Sequence, residues 1–211
     1  MTHSVRGRTM VLGPPSSADR EFVFRALTEP RVHVPLGLRE PPTRETYNTD
    51  HLMLVRGEEE RVEPVRYHAF RTLDGARPLG FVVDFGWDHP QDPVREIDLA
   101  FPDPADRNLL RYFDSSILIA QYLFKNRLAK RFRWRVESKS GDPARRSARQ
   151  AGRLVTRQEE KHPVSGDWIV THIYEFSRAD FDAMGEEHGF DPYLDYAEQQ
   201  GLSMWRILAT R

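Results

Sequence analysis

The tightest constraint in this chain is one unbroken passage, residues 94–128: VREIDLAFPDPADRNLLRYFDSSILIAQYLFKNRL. It reads as a strand, a short polar loop and a long helix. Within the helical part, Leu110, Phe113, Ile117, Phe124 and Leu128 recur at spacings of three, four, seven and four, which places them on one stripe. Ile119 and Leu123 widen the stripe, so the helix is expected to be well buried. A strand feeding a helix N-terminus offers backbone N–H groups to an anion. Folds with parallel neighbours keep their ligands at such junctions.

The flanking segments are arranged around this unit. Residues 8–12 read as a strand ended by Gly13-Pro14-Pro15. Ser16 or Ser17 can cap a helix that must stop before Pro30, because the residue ahead of a proline is pushed out of the helical region. A Pro/Gly-rich loop spans residues 34–42, and Thr43 opens a second expected helix over residues 44–57. Residues 65–73 and 79–87 read as strands joined by the hairpin turn Asp74-Gly75, and residues 96–101 complete a three-strand meander. Beyond the long helix, residues 131–136 (RFRWRV) alternate strictly, with Phe132, Trp134 and Val136 on one face. A basic helix over residues 142–150 follows, then a hairpin of residues 154–158 with 168–176. A tail reads as two short helices broken near Gly189 and Gly201. The pattern is α+β, with one helical crossover late in the chain.

Composition narrows the function classes. The 211 residues are 39% hydrophobic and 30% charged with a net charge of −1, which suits a globular chain and steers it to neither nucleic acid nor an anionic membrane. There is no cysteine, which excludes disulfides, thiolate metal sites and a cysteine nucleophile. The eight histidines fall into no metal-ligand spacing, so no metal is expected. The opening segment has no signal-like apolar run, and no stretch is apolar enough to span a membrane. A cytoplasmic setting is the expectation.

The element order and several phrases together resemble the GNAT superfamily of acyl-CoA-dependent N-acyltransferases. The closest branch is that of the ribosomal-protein N-terminal acetyltransferases and their antibiotic-modifying relatives. ALTEPRVHVPLG is similar to the family's opening turn, and RPLGFV to its first central strand. REIDLAF resembles the strand before the cofactor loop. LIAQYLFKNRLAKRFRWRV aligns without gaps on the helix-to-strand block, and GDWIVTHIYEFSRADF resembles the closing strand. The match covers residues 6–181. The resemblance implies an α+β GNAT domain over residues 1–181, with a mixed, splayed sheet flanked by helices. A C-terminal helical extension over residues 182–211 would pack on it.

The resemblance also implies the chemistry: transfer of an acyl group from acetyl-CoA or another acyl-CoA to an amine of a small molecule or peptide. Glu96 and Asp98, two apart on one strand face, would be base or amine anchor. The backbone of Phe101 would meet pantetheine. Arg107, Asn108, Leu109 and Leu110 stand where the family has R-G-x-G, and with Arg111 they would receive the pyrophosphate. His33, Tyr47 and Trp87 would shape the acceptor pocket. The family's Asn-x-x-Ser falls on Gly141 and Ala144. With both glycines and both polar residues replaced, two readings stay open. In one, helix-terminal N–H groups still bind coenzyme A. In the other, a biosynthetic enzyme uses the same cleft without acyl-CoA. A third reading is non-catalytic, with the aromatic tail from Tyr193 to Trp205 making a homodimer or binding module.

Overall fold

The computed structural model describes residues 4–36, 38, 40–45, 47, 52–56, 61–85, 94–126, 128–137, 142–161, 165–188 and 191–193. In chain order the elements are β1 (Val5–Arg6), β2 (Val11–Gly13), α1 (Ser17–Thr28), α2 (Pro30–His33), β3 (Leu52–Arg56), β4 (Arg61–Arg71), β5 (Pro78–Phe85), β6 (Val94–Ala100), α3 (Leu109–Lys125), β7 (Arg131–Glu137), α4 (Asp142–Ala151), β8 (Arg153–Lys161), β9 (Trp168–Ser177) and α5 (Arg178–His188). The strands form one sheet in the order β1-β2-β4-β5-β6-β7-β9-β8, and β3 pairs with β4 off that path. Every recorded pairing is antiparallel except β6 with β7.

The local chemistry accounts for most boundaries. Ser16 caps α1 in a reciprocal box with Asp19. Burial pushes the Asp19 carboxyl up, but hydrogen bonds from Arg71 and Ser16 outweigh that and hold it below its ordinary value. The helix ends at Thr28, and Pro30 starts α2, where its missing N–H costs nothing. Gly75 takes φ +75 in the β4–β5 turn, a region a Cβ disfavours.

Two expectations are corrected. The helix expected over residues 44–57 is not formed, since Leu52–Arg56 is β3, laid antiparallel on Arg61–Val65 of β4. LMLVR is too short to sustain a helix and contains a β-branched valine. A neighbouring strand supplies it with a full ladder. The single strand expected over residues 8–12 is a tight β1–β2 hairpin, because the Asp114 carboxylate draws in the turn: it accepts from the Arg8 and Thr9 N–H groups at 3.1 and 2.7 Å and from the Thr9 hydroxyl at 2.6 Å.

Apolar side chains fill both sheet faces. On one, α3 lies against β1, β2 and the inner strands, with Phe113 to Phe124 buried along its length. On the other, Val23, Ala26 and Leu27 of α1 and Val32 of α2 pack on Tyr67, Phe81, Val83 and Phe85. Leu110 departs from the expected stripe and is exposed. Helix α5 runs through residues 181–182, with Phe181 in the core and Tyr193 packed on it. Gln121 and Lys125 of α3 donate to the carbonyls of Pro192 and Tyr193 at 2.8 and 3.0 Å. Of the aromatic tail, residues 194–211 lie outside the described residues.

Candidate active site

The parallel pair β6 and β7 stays in register only from Val94 opposite Arg131 to Ile97 opposite Trp134. Past that point each strand keeps its other partner. Residues 98–100 continue along β5, and residues 135–137 continue along β9. The two strand ends therefore diverge and open a cleft. It holds about 480 Å3 and is lined by Leu99, Phe101, Tyr112, Trp134, Val136 and Ala144, among others. Val32 and Leu36 from the α2 region also line it, with Arg31, Asp98, Arg107, Arg135 and Glu137 as its charged residues.

The expected site residues distribute unevenly. Asp98 stands in the cleft wall and is only 7% exposed. Glu96, two residues back on the same strand face, is not among the lining residues. It sits within the paired stretch, at the register position of Arg133. Phe101 lines the cleft, but its carbonyl accepts from Arg107 Nε at 2.7 Å. A second nitrogen of Arg107 donates to the Pro102 carbonyl at 3.1 Å, so this side chain folds back on its own loop.

Asn108 is the N-cap of α3, and its side chain accepts from the Arg111 N–H at 3.1 Å. Leu109 and Leu110 are 36% and 42% exposed on the first turn. Arg111 meets Asp106 at 2.5 Å, and Arg77 meets the same carboxylate at 3.2 Å. His33 and Tyr47 lie outside the cleft lining. The buried His33 ring holds the Leu27 carbonyl through Nδ1 at 3.1 Å, bracing the α1–α2 corner. Tyr47 donates to the Arg20 carbonyl and lies 3.0 Å from the Tyr67 hydroxyl. Burial and the Tyr67 hydrogen bond push its phenol up. Trp87 lies outside the described residues.

Sequence reasoning missed Arg31, Arg135, Glu137 and Tyr112 of the lining. Glu137 ends β7. Tyr112 is on α3, its ring edge-on to Phe101 at 5.3 Å. Burial pushes the Tyr112 phenol above its ordinary value against the pull of Arg107, so it stays protonated at neutral pH. The missed signal was Tyr112's position one residue before Phe113: the apolar stripe faces the core, and its flank faces the cleft. Ala144 also lines the cleft, from α4. Among the described residues no helix is long and apolar enough to cross a membrane.

A strand pair that starts parallel and then splays, with a helix crossing between its members, decides the architecture. The chain has the GNAT fold. A GCN5-related N-acetyltransferase from Brucella melitensis superposes with a TM-score of 0.59 at 17% identity, over 99% of this chain and 95% of that one. Spermidine N-acetyltransferase from Vibrio cholerae, solved with CoA and spermine, gives 0.61 at 10% identity, over 81% and 96%. RimJ from Mycobacterium smegmatis, solved with CoA-disulfide, gives 0.57 at 12% identity, over 85% and 89%. No family model matches the sequence, and no curated protein matches it.

Coenzyme A divides into two halves for a test of fit. The cleft lining, with Leu99, Phe101, Trp134, Val136 and Ala144 among its residues, suits a thin thioester arm. The N-terminus of α3 does not suit a diphosphate, because a buried carboxylate and a side-chain cap already stand there.

Proposed function

We propose that this protein is an N-acyltransferase that moves an acyl group from a thioester of the acyl-CoA class to an amine of a small molecule or peptide. The observation that carries the reading is the splayed β6–β7 cleft with Asp98 and Tyr112 both in its lining. The fold supports the same chemistry, since the neighbours carry names of N-acetyltransferases acting on amines.

Asp98 is positioned to hold a cationic amine and to accept its proton, directly or through one water. The freed nitrogen lone pair attacks the thioester carbonyl, the nitrogen gives up its second proton to solvent, and the C–S bond then breaks. Tyr112, protonated, gives its proton to the leaving sulfur and regains one from solvent. The products are an amide, a free thiol and one proton. The apolar walls exclude water that would otherwise hydrolyse the thioester. Glu96 is the second carboxylate of this strand face and would add negative potential that attracts the amine.

The test is direct. The purified chain is incubated with acetyl-CoA and with S-acetylpantetheine, together with a panel of polyamines, aminoglycosides and short peptides with free N-termini. Products are read by mass spectrometry. An N-acetylated product that disappears in Asp98→Asn is expected. Failure to acylate any amine from either thioester would sink the proposal.

A further inference from the structure

The N-terminus of α3 lies between Arg107 and Tyr112, both of which line the cleft, and there a helix would ordinarily offer its unpaired N–H groups to an anion. In this protein the loop that leads into the helix spends its own donors internally, and only part of the helix's first turn is left open. The preceding loop bonds to itself: Ala105 N–H to the Asp103 carboxylate at 2.9 Å, Asp106 N–H to the Asp103 carbonyl at 3.0 Å, Arg107 N–H to the Pro104 carbonyl at 3.1 Å and Asn108 N–H to the Asp106 carbonyl at 3.1 Å. Asn108 takes the Arg111 N–H with its side chain. By helix geometry Leu109 and Leu110 keep the N–H groups without an intrahelical partner. Their side chains project back toward the helix N-terminus, over that approach.

The cations of the region are engaged too. Arg111 and Arg77 converge on Asp106, which is 3% exposed, and Arg107 is spent on two carbonyls. A diphosphate arriving there would meet a buried carboxylate and displace charge-assisted bonds already made. The arm-sized part of the cleft, from Phe101 to Ala144, carries no such obstruction.

We infer that the acyl donor is recognised through its pantetheine thioester arm, with no diphosphate held at the N-terminus of α3. This rests on the acyl-transfer reading above and narrows its donor. The arm could arrive on a small thioester or as the phosphopantetheine prosthetic arm of a carrier protein. Both present the same chemistry to the cleft.

Isothermal titration of the full chain with coenzyme A, with pantetheine and with an acyl carrier protein bearing phosphopantetheine tests this without knowledge of the acceptor. Coenzyme A and pantetheine are expected to bind within about threefold of each other. Carrier binding at least about tenfold tighter than pantetheine assigns the source to a carrier, and weaker or equal binding assigns it to a small thioester; both support the inference. Coenzyme A binding more than about tenfold tighter than pantetheine overturns the inference and leaves the acyl-transfer reading standing. Binding of none of the three overturns both. Leu110→Gly alters an exposed residue and serves as the second variant. It is expected to tighten coenzyme A binding without changing that of pantetheine, and an unchanged ratio of the two counts against the obstruction.

Discussion

A Cβ on Gly80 would stand 2.5 Å from the carbonyl oxygen of Ala100 and 2.6 Å from the ring of Phe101. Gly80 of β5 therefore lets the end of β6 lean toward β5 just where β6 parts from β7. The close approach and the opening of the cleft are two sides of one bend. Gly80→Ala is expected to cost about 1–3 kcal/mol, because the clash is with backbone and cannot be relieved by a rotamer change. Gly80→Val should cost more and narrow the cleft. Urea unfolding of both variants checks the energy, and titration with pantetheine checks the cleft. Wild-type stability in Gly80→Ala would mean that the strand end is not held so close.

A second prediction concerns pH. Asp84 is buried on the α3 side of the sheet, and one carboxylate oxygen has no hydrogen-bond partner. Burial lifts its carboxyl from 3.8 to about 7, against the pull of Arg95 and Arg66. His68, on the neighbouring strand, is lowered to about 3 by burial and by the charge of Arg66. The folded state holds the Asp84 proton that the unfolded chain releases near pH 4, so stability falls as pH rises from about 4 to 7. The folded state refuses the His68 proton that the unfolded chain takes near 6.5, so stability falls as pH drops from about 6.5 to 3. Between about pH 4 and 6.5 the two slopes oppose each other, which gives a plateau with a decline on each flank. Asp84→Asn should remove the upper decline and raise stability at pH 8 by on the order of 3 kcal/mol. Thermal unfolding at pH 5 and pH 8 measures it. Parallel pH profiles for variant and wild type would refute it.

These positions explain what the sequence could and could not disclose. The Asp74-Gly75 hairpin, the long α3 and the alternating β7 were legible because each is fixed by local turn chemistry or by periodicity. β3 was not. Its five residues fit either a strand or a helical turn, and only pairing with β4 settles the choice. The crossover between β6 and β7 could be read from order alone. The register at which they separate could not, since it depends on the close approach of Gly80 to Ala100 on the neighbouring strand. Strand alternation puts Asp98 on the face of Glu96, and Asp98 lines the cleft where Glu96 does not. Tyr112 was missed because helical periodicity shows which residues enter the core and is silent on what a helix flank touches. His33 looked like a site residue from its loop position, but its ring is used to hold the Leu27 carbonyl.

A third prediction follows from Asp114, a buried carboxylate on α3. It is satisfied by the turn of the β1–β2 hairpin, and a Cβ on Gly7 would come within 2.4 Å of its oxygen. Burial pushes its carboxyl up, while the hydrogen bonds from Thr9 and Arg8 oppose that. Asp114→Ala leaves two backbone donors and a hydroxyl without their acceptor and should cost about 2–3 kcal/mol. Hydrogen exchange should show the loss concentrated at Arg8 and Thr9. A uniform loss of protection along α3 would instead place Asp114's role in the helix.

The last prediction separates the roles of Asp98 and Tyr112 in the cleft. Asp98→Asn keeps the shape of the side chain and removes its charge and basicity. It should lower kcat/KM for acyl transfer by about 100-fold and weaken binding of cationic amines. Tyr112→Phe keeps the ring against Phe101 and removes only the hydroxyl. If that hydroxyl protonates the leaving sulfur, kcat falls by about 10–100-fold while KM for the amine stays unchanged. The effect should also depend on the leaving group. A thioester of a more acidic thiol needs less protonation, so it should recover much of the Tyr112→Phe loss and none of the Asp98→Asn loss. Steady-state kinetics with an alkyl and an aryl thioester read this out. Equal losses on both thioesters would reduce Tyr112 to a wall of the cleft and leave the proton to solvent.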